Sequence, residues 1–314
     1  MSEVLTLAPP RGGALRRISD VLVARRGLYL LLLLVPPLLW LGVVYLGALF
    51  ALLAQSLFSI DEFSGTIVRE PTLKTFGELL VPANLDIIAR TITVSAIVTV
   101  LSAIIAFPIA YYAARYARGR VKALFYVAVM MPLWSSYLVK VYAWKLLLAK
   151  EGAIGWFMNS VGLSGLLDAW LATPVLGGPS LSVSYTGMVL VFLYLWTPFM
   201  VLPVQAALER VPASLIEASG DLGASPGQTF RKVIFPLALP GLVAGSIFTF
   251  SLTLGDYIVP QIVGPSSLIL GQVVYAQQGL AGNIPLAAAF AVVPIVVMGL
   301  FLTLAKRMGA FDAL

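Results

Sequence analysis

The chain has 314 residues, of which 60% are hydrophobic and 11% charged, with 20 Lys and Arg against 14 Asp and Glu; an ordinary soluble domain is roughly a quarter charged. Such a composition belongs to a membrane protein. There is no Cys and no His, which excludes disulfides, thiolate chemistry, histidine metal ligands and any Ser-His or Cys-His nucleophile pair.

A bilayer core of ~30 Å takes about 20 apolar helical residues, and six charge-poor runs of that order predict an all-α membrane protein with six transmembrane helices. A tail, 1–27, precedes the first span, 28–53, which carries Pro36-Pro37 and is too long for a signal-peptide core. The prolines predict a kink. The second span, 91–114, lies between Arg90 and Arg115, and the third, 123–148, contains Lys140, whose head is expected to snorkel toward an interface. The fourth is 183–206. The fifth, 239–260, has Asp256 near its end and a small-residue pair, Gly241 and Gly245, that would allow close helix packing. The sixth, 286–305, is closed by Lys306-Arg307, and 307–314 forms a second tail. One membrane domain, 28–306, accounts for the chain between the tails. Leu268 to Ala276 is apolar but too short to span, which predicts a surface or re-entrant segment. The connections 58–90 and 149–181 are long enough to hold structure of their own.

Placing the N-terminus inside puts fourteen Lys and Arg on the cytoplasmic side and six on the other, so the positive-inside rule sets both termini in the cytoplasm. The net charge of +6 is then a topology signal, and no nucleic-acid partner is needed to explain it.

The informative connection is 207–238, between the fourth and fifth spans. Pro212 suits a first helical turn, after which Leu215, Ala218 and Leu222 share one face and Glu217 and Asp221 another. Gly223 would end that helix, and Ser225-Pro226 form an N-cap and N1 pair for a second helix reaching Pro236. Two readings fit: a knob that docks a cytoplasmic partner, or an amphipathic connector lying on headgroups. Glu217 and Asp221 weigh against the second, since surface-bound helices carry Lys or Arg on the polar face.

This segment resembles the EAA loop of the membrane permease subunits of bacterial ABC importers. Glu217, Ala218 and Ser219 fill the first three places, Gly223 falls at the family spacing, and Val233, Ile234, Phe235 and Pro236 follow after nine residues. Ser219, Val233 and Phe235 depart mildly from the pattern. Within that superfamily the chain is most similar to the first permease subunit of spermidine/putrescine-type importers, from the first span to the C-terminus. That similarity rests on Asp221 to Ser225, Pro132 to Trp144, Phe107 to Tyr112, and Gly255-Asp256-Tyr257. Lys140 stands where the family usually has Arg, which keeps the charge and loses the planar fork.

The resemblance implies a subunit of the bacterial inner membrane that pairs with a second homologous permease. Its coupling loop, with Glu217, Ala218, Ser219, Asp221 and Gly223, would seat in a groove of a cytoplasmic ATPase dimer. A binding protein outside the cytoplasm would deliver the cargo, implied to be a polyamine (spermidine or putrescine) or a related small organic cation. Another cargo, such as ferric iron, sulfate or an amino-acid derivative, is the alternative. The chain itself implies no cofactor and no enzyme: ATP and Mg would be bound by the ATPase, and no Lys of this chain follows a Gly, as a phosphate loop requires.

Gly162-Leu163-Ser164-Gly165 matches an intramembrane serine-protease motif, but no histidine base exists. A gradient-driven transporter would leave the 207–238 loop unexplained and lacks a visible inverted repeat. Asp256, the single acidic residue within a span, has two readings. It would attract a cationic cargo, with Tyr257, Trp134, Tyr137, Tyr194 and Trp196 offering ring faces to an ammonium group. Equally, it would pair with Lys140 or Lys145 near the outer surface, with the aromatics as interface anchors.

Overall fold

The structure, a computed structural model, describes residues 26–61 and 63–307. Arg11, Arg16, Arg17 and Arg25 of the first tail, and the tail after Arg307, lie outside the described residues. The chain divides into two units, 1–54 and 55–314.

The described residues of the first unit lie in helix α1, α-helical over Arg26–Leu39, π-helical over Trp40–Leu46 and α-helical again over Gly47–Gln55, its last residue opening the second unit. Pro36 and Pro37 lack the N–H that would bond one turn back, and the ladder widens to the π form from Trp40, two α-helical residues further on. The prolines thus stand before a π turn within one continuous helical run. Side chains 29–51 are exposed throughout, as suits an apolar helix bathed in hydrocarbon.

In the second unit, strands β1 (Ser59–Ile60) and β2 (Ile67–Val68) form an antiparallel hairpin. Asp61 in its turn accepts from the backbone N–H of Phe63 and Ser64, and those bonds hold its carboxyl below the usual carboxylate range. Helix α2 (Lys74–Leu79) follows, then α3 (Pro82–Arg115). At 34 residues, α3 begins nine residues before the expected span. Pro82 starts it at N1, and Asp86 and Arg90 pair one turn apart without interrupting it.

The expected third span, 123–148, is not one helix. Helix α4 (Gly119–Trp134) and helix α5 (Tyr137–Leu148) meet at Ser135-Ser136, and the helical run Tyr137–Ser160 is bent by 95° from α4. Both serines are extended (ψ 154 and 133), so the last carbonyls of α4 lose their helical donors. Lys140 supplies one: its Nζ donates to the Pro132 carbonyl at 2.6 Å. The lysine expected to snorkel instead satisfies the break from within the chain.

Helices α6 (Ala153–Ser160) and α7 (Ser164–Leu171) fill the next connection, and a 3-10 turn, Leu181–Val183, leads into α8 (Tyr185–Arg210). Helix α9 (Ala213–Asp221) precedes α10, which runs as α-helical Pro226–Thr229, π-helical Phe230–Ile234 and α-helical Phe235–Gly255. The helix expected to reach Pro236 instead continues into the fifth span, with Pro236 two residues past the π-helical turn, inside the helical run and not at its end. That span ends at Gly255, short of the expected 260, and α11 (Ile258–Ile262), α12 (Leu270–Gly279) and α13 (Ile284–Arg307) complete the chain.

Helix α8 is the centre, packed on α3 and α10. Gly241 and Gly245 make that possible: a Cβ on Gly241 would sit 2.5 Å from the Ala207 Cβ and from the Pro203 carbonyl, and one on Gly245 2.6 Å from the Met200 sulfur. Five buried hydroxyls bond back along their own helices: Thr91, Ser95 and Thr99 in α3, Thr249 and Thr253 in α10. Thr91 also accepts from the Leu270 N–H at 2.9 Å, which ties α12 to α3. Among the described residues, five helices are long and apolar enough to cross a membrane, or six if the bent pair beginning at Gly119 counts as one span.

Candidate functional site

Two places gather the residues singled out from the sequence. The first is the loop between α8 and α10. Helix α9 closes with Leu222 N–H on the Ala218 carbonyl and Ala224 N–H on Ser219, and Gly223 takes φ +76, the left-handed conformation that ends a helix. Ser225 and Gln228 then form a reciprocal capping box at the start of α10. Pro212 is the residue just before α9, not part of its first turn.

The loop is held to the membrane part by polar and aromatic contacts. Ser219 and Thr229 hydroxyls bond at 2.9 Å, and Arg115 Nη2 donates to the Val211 carbonyl at 3.1 Å. Glu209 Oε1 receives Lys122 Nζ at 2.9 Å, Tyr126 at 3.0 Å and Gln205 at 3.1 Å. Phe107 and Tyr111 of α3 meet Phe230 edge-on at 5.7 and 6.0 Å, fixing the π-helical turn of α10. Sequence reading missed the Glu209 cluster; nothing in spacing brings Lys122 and Glu209, 87 residues apart in number, together.

What this base supports is an unpaired surface. Leu215 is 45% and Leu222 87% exposed, and Glu217 and Asp221 point out as well. Leu215, Ala218, Leu222, Gln228, Lys232 and Val233 line an open groove of about 590 Å³. An apolar face with acidic residues beside it, raised on a braced turn, is suited to receiving another protein.

The second place is the end of α10. Asp256 stands just past the helix; its Oδ1 accepts from the Val259 N–H at 2.9 Å, and Oδ2 accepts from the Tyr137 hydroxyl. Pairing with Lys140, one of the two structural readings, is not found, since Lys140 is on Pro132. Tyr137 stacks on Trp196 at 6.1 Å, and Trp196, only 8% exposed, belongs to the core. Trp134 is 75% exposed at the break, and Tyr194 lies against Trp144 at 5.3 Å. Of the six predicted residues the structure thus brings together Asp256, Tyr137 and Trp196.

Tyr257 has a partner that sequence reading set aside. It stacks on Tyr275 of α12 at 5.2 Å with planes 10° apart. Both rings, with Gln278, line a cavity of about 380 Å³ between α10, α12 and α13. Helix α12 comes this close because residue 271 is glycine: a Cβ there would meet the Asp256 carbonyl at 2.5 Å. Gly271 and Tyr275 were the available signals in a segment too short to span.

Residues 106–310 match the family described as binding-protein-dependent transport system inner membrane component. The inner membrane ABC transporter permease protein YdcU of Escherichia coli (strain K12) is 56% identical over 307 residues, 98% of either chain. The spermidine/putrescine transport system permease protein PotB of the same strain is 27% identical over 232 residues, 74% of this chain and 80% of that one. Among solved structures, a bacterial ABC transporter involved in the import of the acidic polysaccharide alginate superposes with a TM-score of 0.66, covering 93% of this chain and 98% of its own at 16% identity. That last likeness is one of fold.

Proposed function

This chain belongs to the inner membrane components of binding-protein-dependent transport systems and is a permease subunit of an ATP-binding-cassette importer, and we propose that its cargo is a polyamine or a related small organic cation. The 27% identity to the spermidine/putrescine permease PotB supports that cargo, and Asp256 among its aromatic neighbours is the observation that carries it. A carboxylate offers about four lone-pair sites; those of Asp256 hold the Tyr137 hydroxyl and the Val259 N–H, which leaves capacity for an ammonium group. Tyr257 and Tyr275 add ring faces.

The chain crosses the bilayer six times, with α4 and the helices from Tyr137 onward acting as one broken span and both termini in the cytoplasm. The 207–238 loop then faces the cytoplasm and seats Glu217, Ala218, Ser219, Asp221 and Gly223 in a partner ATPase that binds ATP and Mg. A second permease completes the pathway and a binding protein delivers cargo from outside. Closure of the ATPase dimer would move both loops and switch the pathway between inward- and outward-facing states.

The test is ATP hydrolysis by the reconstituted importer on adding its binding protein with putrescine, spermidine, sulfate or ferric iron. Stimulation by the polyamines alone, lowered by Asp256→Asn with assembly intact, is the expected result. Stimulation by an anion instead would overturn the cargo while leaving the family untouched.

A further inference from the structure

Between α3 and α8 lies a groove of about 600 Å³ whose floor is Val94, Ile97, Leu101, Val189, Leu190 and Leu193. At one end stand Asp86 and Arg90, paired with each other, the side chains 62% and 26% exposed. Arg90 Nη1 also donates to the Leu268 carbonyl at 3.2 Å, which fixes the guanidinium at the mouth. Trp170 stands on the rim, its indole N–H on the Thr186 hydroxyl at 3.0 Å, with Tyr185 beside it. Trp and Tyr at such a boundary mark headgroup depth, and Arg90 directly precedes the apolar run from Thr91.

The dimensions and the charges select one class of occupant. From Thr93 to Leu101 is about 12 Å along the helix at 1.5 Å per residue, close to the ~15 Å depth of one leaflet, half of a ~30 Å core. The mouth presents one cation and one anion a helical turn apart. We propose that this groove holds an acyl chain of a zwitterionic phospholipid bearing a primary ammonium, with its phosphate on Arg90 and its ammonium on Asp86. The headgroup exchanges one internal ion pair for two, and the planar guanidinium suits a phosphate. An anionic headgroup would meet the Asp86 carboxylate, and a choline headgroup has no N–H to donate to it.

The importer complex, reconstituted in nanodiscs of equal phosphatidylethanolamine and phosphatidylglycerol and then washed in detergent, is assayed for retained lipid by mass spectrometry. Phosphatidylethanolamine is expected to be enriched about threefold over the starting mixture, the selectivity one exposed ion pair supplies. Asp86→Asn, at an exposed position, returns the ratio to that of the mixture, and Ile97→Trp lowers retention of both lipids. Retention in the starting ratio by the unaltered protein, or a preference that survives Asp86→Asn, overturns the proposal. So does a cross-linker at Ile97→Cys that captures a helix of the second permease instead of lipid.

Discussion

Substituting Gly223 and Gly220 separates the conformation of the 207–238 loop from its bulk. Gly223 has φ +76, and a Cβ there would meet nothing within 4 Å; Gly220, inside α9, has equally open surroundings and no positive φ. Sterics with neighbours therefore cancel between the two positions. Gly223→Ala must hold an L-residue in the left-handed region at about 1–2 kcal/mol, a factor of roughly 5–30 in the population of the ordered turn. Gly223→Asn should lose less and Gly223→Val more, following how readily each residue adopts that region. Gly220→Ala instead gains up to about 1 kcal/mol of helix propensity. The readouts are hydrogen exchange over 213–221 and the amount of ATPase that purifies with the permease, both expected to fall in the order Gly220→Ala, native, Gly223→Asn, Gly223→Ala, Gly223→Val. Equal effects at 220 and 223, or none from Gly223→Val, would refute the reasoning that the left-handed turn presents the docking face.

Two further outcomes follow from packing and from the broken span. Gly241→Leu must displace Ala207 or the Pro203 carbonyl, both 2.5 Å from a Cβ, so it should cost about 1–3 kcal/mol; thermal melting in detergent should fall, whereas Gly299→Leu, in a helix with nothing within 4 Å, should not lower it. Lys140→Met removes the donor from the Pro132 carbonyl, leaving the 3.3 Å contact from Ser135, and should cost about 1 kcal/mol or more by melting. Lys140→Arg should recover most of that loss.

Much of this architecture is legible in the sequence because a bilayer imposes a simple rule, a long run without charge for each crossing. The runs at 28–53, 91–114, 183–206 and 286–305 each fall within one helix or, for 183–206, one helix and the turn leading into it. The rule fails where the chain breaks with no charge, as at Ser135-Ser136, or with one isolated carboxylate, as at Asp256. Ser135-Ser136 and Asp256-Tyr257 interrupt helices inside apolar runs, and their carbonyls and carboxylate are satisfied by Lys140 and Tyr137, contacts that hydropathy does not contain. In the loop, by contrast, Gly223 and Ser225-Pro226 act through local backbone chemistry and were readable directly. The Glu209 cluster was not, since it joins elements far apart in sequence, nor was the Tyr257–Tyr275 stack, which depends on how the chain folds back after Gly264 and not on any helical or strand spacing.

The proposed engagement of α9 and the Gly223 turn with a cytoplasmic ATPase can be tested in native membranes. Because the chain has no cysteine, Glu217→Cys provides a unique attachment point for a photoreactive probe, and Leu166→Cys, on an exposed residue of α7, provides the control. After illumination of native membranes, the probe at 217 should yield a covalent product with an ATPase subunit, and the probe at 166 should not. A probe at 217 that captures only lipid, or an ATPase captured equally from 166, would contradict the account.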